Sequence, residues 1–197
     1  MTSTDADYTR RLQRLSSRRW KRFVPNPYRW NVRRLATGRV LDVGCGIGRC
    51  LAFIRPRGVG VDPNATAVAA CRGKGLQAYR PEEFATVYGS GQAGRQFETL
   101  LCSHVLEHLD EPTGVDLLNS YLPYLASNGR IVLINPQERG QRSDPTHVRL
   151  IDAEAIERLA EQCGLVIERI SSFPLPRYFG RWFIYNETVT IAAVSPR

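Results

Sequence analysis

Val40 to Arg49 reads Val-Leu-Asp-Val-Gly-Cys-Gly-Ile-Gly-Arg, and no other stretch limits the possible folds of this chain as tightly. A short β-branched and aliphatic run, a glycine-rich bend and the mixed segment Arg49 to Ile54 predict a buried strand, a tight turn and the start of a helix. Gly44, Gly46 and Gly48 put no side chains in the bend, so its backbone can take positive φ and approach a ligand closely. The dinucleotide pattern G-x-G-x-x-G would place its third glycine at position 49, where this chain has Arg49. That spacing argues against a nicotinamide cofactor.

Gly58 to Val61 is a second apolar run, and it ends in Asp62. An acid about 20 residues beyond the first turn is where nucleotide folds hold a ribose, because one carboxylate accepts from two vicinal hydroxyls. Asp62-Pro63-Asn64 also reads as a turn and helix N-cap, a role that Asp and Asn both fill. The upstream glycine loop favours the ribose role.

A G-x-G-x-G loop after V-L-D-V resembles the first motif of the class I S-adenosylmethionine-dependent methyltransferases. The resemblance implies that Asp42, Gly44, Cys45, Gly46, Gly48 and Arg49 surround the methionine part of that cofactor. It further implies that Asp62, Pro63 and Asn64 meet the ribose, that Glu83 and Phe84, with Glu82 as a further candidate, lie by the adenine, and that Ser103 and His104 line the methyl site. The implied fold is α/β and Rossmann-like: a seven-stranded sheet in the order 3-2-1-4-5-7-6, strand 7 antiparallel, with helices on both faces. The resemblance covers roughly Arg39 to Val194. At finer grain the chain is similar to small bacterial sugar-modifying methyltransferases of the methylmannose-polysaccharide type. The acidic pattern of catechol-type metal sites is missing, so Mg2+ is a possible companion that the sequence does not indicate.

A length of 197 residues suits one such domain, at residues 37–197, behind an N-terminal arm at residues 1–36. No run of 18 apolar residues exists and the start is polar, which predicts a cytoplasmic protein without membrane association. The five cysteines, at 45, 50, 71, 102 and 163, form no C-x-x-C pair and are expected to be reduced core residues. Net charge is +8, and basic residues crowd between Arg10 and Arg39 among Trp20, Phe23, Tyr28 and Trp30. Such an arm could grip phosphates and stack bases. An amphipathic lid with solvated arginines is the preferred reading, since charge runs are usually solvated faces.

Along the chain, residues 1–7 are expected to be disordered, and helices are expected near Tyr8–Phe23 and Tyr28–Leu35, separated by Pro25 and Pro27. After the Asp62 strand come a helix at Ala65–Arg72, a strand at Leu76–Tyr79, and a glycine-rich loop over Val87–Gln96. Phe97–Ser103 is a fourth strand. His104-Val105-Leu106-Glu107-His108 follows it and matches the zinc-peptidase pattern H-x-x-E-H. Its place at a strand end, downstream of a cofactor loop, argues against peptidase chemistry, and Glu107 and His108 are given structural roles. A helix at Leu117–Ala126 closed by Asn128-Gly129, a strand at Arg130–Asn135, a helix at Ala153–Cys163 and strands at Leu165–Ile170 and Trp182–Val194 complete the prediction.

Asn135-Pro136-Gln137-Glu138 begins like the Asn/Asp-Pro-Pro-Tyr motif of amino-group methyltransferases and then departs from it, which counts against a nucleobase amine. The connection Glu138–Arg149 should emerge outside the carboxyl ends of the strands, where such sheets bind ligands. An alcohol acceptor needs a base or a metal to take its proton. His147 is the expected base, oriented by Asp144 or Glu138, and His104 lines the methyl site. Tyr28, Trp30, Asn135, Tyr178, Tyr185 and Glu187 are the candidate acceptor contacts. Three functions stay open: O-methylation of a saccharide or other small molecule, methylation of RNA through the basic arm, and a cofactor-binding module without catalysis. The oligomeric state is not read from the sequence.

Overall fold

The computed structural model describes residues 26–89 and 96–195. Its centre is a seven-stranded sheet in the order β3-β2-β1-β4-β5-β7-β6. The strands are β1 (Val40–Val43), β2 (Gly58–Val61), β3 (Gln77–Tyr79), β4 (Phe97–Ser103), β5 (Leu125–Pro136), β6 (Leu165–Phe173) and β7 (Glu187–Val194). β1 pairs in parallel with β2 and β4, placing Val40 beside Gly58 and Thr99. β7 runs antiparallel to both β5 and β6. The predicted order and the direction of strand 7 are both observed.

Side chains alternate across the sheet, as the pleat requires. Leu41, Val43, Leu100, Cys102, Ile131 and Leu133 face one core, shared with α4 (Pro81–Tyr88), α5 (Glu111–Tyr121) and α7 (Ala153–Gln162). Val40, Leu101, Val132 and Ile134 face the other, shared with α1 (Pro27–Leu35), α2 (Arg49–Ile54) and α3 (Ala65–Arg72). Burial on both faces explains the apolar runs of β2 and of Ile131–Ile134 in β5, and the aliphatic residues around Asp42 in β1. Gly60 lets α2 lie close to β2, since a Cβ there would meet Leu51 and Cys45 at 2.5 and 2.6 Å.

The second of the two expected arm helices is α1. Asn26 caps it by accepting from Tyr28 N and Arg29 N, and Pro27 takes the first turn, where a missing N–H does no harm. Val32 and Leu35 bury against the core, while Arg33 Nε donates to the Phe53 carbonyl at 2.8 Å. The expected first helix, the disordered start and most of the basic run lie outside the described residues. Among the described residues, no helix is long and apolar enough to cross a membrane.

Several boundaries differ from the sequence reading. α4 continues to Tyr88, because that ring stacks on Phe84 at 4.6 Å and so extends the buried face beyond the expected loop start. α5 begins at Glu111 rather than near Leu117: Asp110 accepts from Thr113 N at 3.0 Å, a cap that polar composition concealed. It ends before Pro123, and β5 starts at Leu125, so Asn128 and Gly129 lie inside a strand instead of closing a helix. The last strand starts at Glu187, not Trp182, after a 3-10 turn over Arg177–Arg181 and an irregular stretch to Asn186.

Candidate active site

The turn after β1 is fixed from both sides. Gly44 N and Cys45 N donate to the Val61 carbonyl at 2.8 and 3.1 Å, Gly46 N donates to Asp62 Oδ2 at 2.8 Å, and Lys74 Nζ donates to the Ile47 carbonyl at 2.6 Å. Gly44, Gly46 and Gly48 all have positive φ, at 73°, 52° and 80°. Gly44 is required twice over, by its φ and because a Cβ would run into Val105. The turn opens at the carboxyl end of the sheet, where parallel sheets bind nucleotides.

Asp62 ends β2 and is nearly buried, its Oδ1 accepting from Asn64 N at 2.9 Å. Asn64 in turn caps α3 through Thr66 N and Ala67 N, and Pro63 is exposed between them. The turn-and-cap reading of Asp-Pro-Asn is observed, and that turn positions the carboxylate beside the glycine loop. Asp42, inside β1, is 2% exposed with Oδ2 lacking a hydrogen-bond partner. Burial, then Cys71 and Asp62, push its carboxyl up to about 8. Arg49, at the start of α2, lies 5.8 Å over the Tyr28 ring, which places that cation between loop and arm. All five cysteines are free, and four are buried, as expected of core thiols.

Glu83 and Phe84 are not placed as adenine contacts. Glu83 accepts from Arg80 N at 2.9 Å and pairs with Arg72 at 2.5 Å, which occupies it in capping α4. Phe84 is 1% exposed and packs against Tyr88, Phe97, Tyr121 and Tyr124. An amphipathic helix turns its largest apolar residue inward, and that requirement outweighs proximity to β3. Glu82 pairs with Arg80 at 2.6 Å.

His104 follows Ser103 at the end of β4 with φ 58°, the only non-glycine positive φ among the described residues. Its Nε2 is 2.8 Å from Glu187 Oε1 and its Nδ1 is 3.2 Å from Glu107 Oε1. Burial works against charge on the ring, but the two carboxylates outweigh it and raise His104 to about 10. With 36% of the side chain open, water weakens the burial effect and leaves that direction unchanged. His104 is thus an imidazolium held between two acids. Glu187 meets His104 rather than facing the acceptor alone.

The connection after β5 contains the short helix α6 (Glu138–Gln141) and then His147. The His147 ring is oriented by neither predicted acid: Nδ1 lies 3.0 Å from the Gln141 carbonyl, to which it donates. Glu138 is held by Arg177 at 2.7 and 2.5 Å, and Asp144 Oδ1 accepts from Thr146 N and Oγ1 at 3.0 and 2.7 Å. His108 stands edge-on to His147, ring centroids 4.7 Å apart, with its Nδ1 3.2 Å from the Thr146 carbonyl.

Around this cluster, Tyr28 donates to the Tyr185 carbonyl at 2.8 Å and packs edge-on against Phe173, on which Trp30 stacks. Trp30, Tyr178 and Tyr185 are each 59% exposed. Asn135 is fully buried, with both side-chain polar atoms unpartnered. A cavity of about 510 Å³ is lined by Glu138, Arg177, Tyr178, Arg181 and Trp182. Sequence reasoning missed Gln137 and Asn186. Asn186 Nδ2 donates to Gln137 Oε1 at 2.9 Å and Gln137 Nε2 donates to Ser172 Oγ at 2.8 Å, which joins the ends of β5, β6 and β7. Two long-range amide partners leave no periodic trace in a sequence.

This sheet order, the glycine turn and the acid ending β2 define a class I S-adenosylmethionine-dependent methyltransferase, and its cofactor is S-adenosylmethionine. The chain belongs to the family described as Methyltransferase domain, whose profile matches residues 7–170. No curated protein matches it. Among solved structures it is similar to an S-adenosylmethionine-dependent methyltransferase of Archaeoglobus fulgidus, with 20% identity, TM-score 0.65, and 84% of this chain and 92% of that one covered. A TehB-like methyltransferase of Corynebacterium glutamicum is 15% identical over 97% of this chain and 98% of its own, TM-score 0.65. The magnesium protoporphyrin IX methyltransferase of Synechocystis, with S-adenosylmethionine bound, is 17% identical over 86% and 76%, TM-score 0.55. At these identities the likeness concerns the fold.

Proposed function

We propose that this protein methylates a hydroxyl oxygen of a saccharide or other polar small molecule, with His147 as the general base. One observation carries the reading. His147 stands on the loop after β5 with Nδ1–H committed to the Gln141 carbonyl, which leaves the Nε2 lone pair of the neutral ring for a proton. An amine would not need that lone pair, whereas an alcohol does.

S-adenosylmethionine supplies, when bound, an electrophilic methyl on a cationic sulfur. The chain must hold the acceptor oxygen in line, within about 3–3.5 Å of that carbon. His147 Nε2 takes the hydroxyl proton as the oxygen bonds to the methyl carbon and the carbon–sulfur bond breaks, its electron pair staying on sulfur. The His104 imidazolium, fixed by Glu107 and Glu187, positions the acceptor without exchanging a proton. The cavity lined by Glu138, Arg177, Tyr178, Arg181 and Trp182 supports a sugar acceptor, with flat faces from Tyr178 and Trp182 and charged groups that can pair with hydroxyls.

Residues 1–36 serve this domain as a lid, supported by the packing of Tyr28 and Trp30 on Phe173 and by Arg49 over Tyr28. Radiolabelled cofactor offered with saccharides, other hydroxylated molecules, amines and RNA tests the reading. Hydroxyl acceptors should be labelled, and His147→Ala should lower kcat by about 10² to 10⁴-fold with the cofactor Kd unmoved. Preferential labelling of RNA, lost on deleting residues 1–25, would replace the lid by a nucleic-acid arm. Failure of every acceptor would leave a binding module.

A further inference from the structure

Among the described residues, Glu107 is a buried acid whose surroundings do not account for it. It is fully buried, yet neither carboxylate oxygen has a hydrogen-bond partner. The His104 contact at 3.2 Å is an ion pair without hydrogen-bond alignment. Beyond that ion pair both oxygens keep unfilled hydrogen-bonding capacity, which a buried polar group ordinarily fills. One ligand atom each of Glu107, His108 and His147 lies within 4.8 Å of the other two.

The two histidines are prepared in the same way. Each turns Nδ1 toward a backbone carbonyl, His108 to Thr146 at 3.2 Å and His147 to Gln141 at 3.0 Å. A carbonyl only accepts, so each Nδ1 carries the proton and each Nε2 the lone pair. Tying the remote ring N–H to a carbonyl is how proteins fix the tautomer and direction of a metal-binding imidazole. The backbone locks the pair together as well, since Val148 N donates to the Glu107 carbonyl at 2.8 Å and so fastens the His147 loop to the Glu107 turn.

We infer that Glu107, His108 and His147 form a site for one divalent first-row cation, of the Zn2+, Co2+ or Mn2+ class, next to the acceptor hydroxyl. Two imidazoles and one carboxylate suit those ions better than Mg2+ or Ca2+, and three protein ligands leave a position for water or an acceptor oxygen. Tetrahedral bonds of about 2.1 Å set ligand atoms roughly 3.4 Å apart, inside the 4.8 Å limit within which these three atoms already lie. The inference rests on the O-methylation reading only for what occupies the open position. With an ion bound there the pKa of the hydroxyl would fall, its proton would pass to solvent, and His147 would serve as a ligand in place of the base role given to it above.

The test uses the full chain, stripped with a chelator and titrated with Zn2+ and with Co2+ in the absence of any acceptor. One ion per chain should bind, Co2+ should show visible absorption bands of a low-coordinate site, and both signals should weaken at least tenfold in His108→Ala and in His147→Ala. Far-ultraviolet circular dichroism confirms that each variant is folded, and Glu107→Gln serves as the third variant. Absence of stoichiometric binding, or binding that ignores both histidine changes, overturns the site. Methyl transfer at full rate by the ion-free protein would overturn it while leaving the O-methylation reading intact. Ion binding without transfer to any hydroxyl would leave the site and remove that reading.

Discussion

The amide of Gly46 donates to Asp62 Oδ2 at 2.8 Å, and this one bond joins the turn after β1 to the end of β2 across 16 residues. Asp62 thus shapes the glycine loop itself, besides the ribose contact expected of it from the sequence.

Removing that carboxylate should harm both roles. Asp62→Ala is expected to weaken S-adenosylmethionine binding by about 1–3 kcal/mol, the usual result of stranding polar partners. Isothermal calorimetry reads the change, and an unaltered Kd would take Asp62 out of the cofactor site.

Gly44→Ala combines a left-handed φ of 73° with a collision at Val105. We expect about 1–3 kcal/mol of destabilisation in urea unfolding together with loss of cofactor binding. A variant of wild-type stability and affinity would show that the turn is looser than this geometry.

Phe84→Ala separates a core residue from a ligand contact. Loss of a fully buried phenylalanine should remove about 3–5 kcal/mol of stability. Phe84→Leu, which keeps most of the buried surface, should bind cofactor like the wild type. A cofactor defect in the folded leucine variant would return Phe84 to the adenine site.

Asp42 makes stability depend on pH. Its folded value of about 8 lies above the unfolded 3.8, so between them the folded state holds the extra proton. Cofactor-free protein should therefore lose stability from this group as pH rises through that window, and the loss should be complete above about 8. Melting temperatures of wild type and Asp42→Asn across pH 5 to 9 should diverge upward for the variant; parallel curves would refute the assignment.

Much of this architecture was legible because its signals are local. Buried strands appear as apolar runs, the cofactor turn as alternate glycines, and helix ends at Gly73 and Gly164 as breaks. What was not legible depends on partners far away. Phe84 finds its neighbours on β4, α5 and the turn after it, so no window around residue 84 shows that it is core. The Gln141 carbonyl, not an acid, aims His147, and main-chain acceptors have no letter in a sequence. His108 was visible within H-x-x-E-H, but its approach to His147 requires the fold.

Glu187 reaches His104 because β7 enters the sheet antiparallel to β5, with Glu187 opposite Pro136. The pair spans 83 residues, and the second carboxylate arrives only with the β6–β7 hairpin. During synthesis the glycine turn and Asp62 emerge long before residue 187 does. Of the two carboxylates beside His104, the one from β7 is therefore the last to be supplied by the chain.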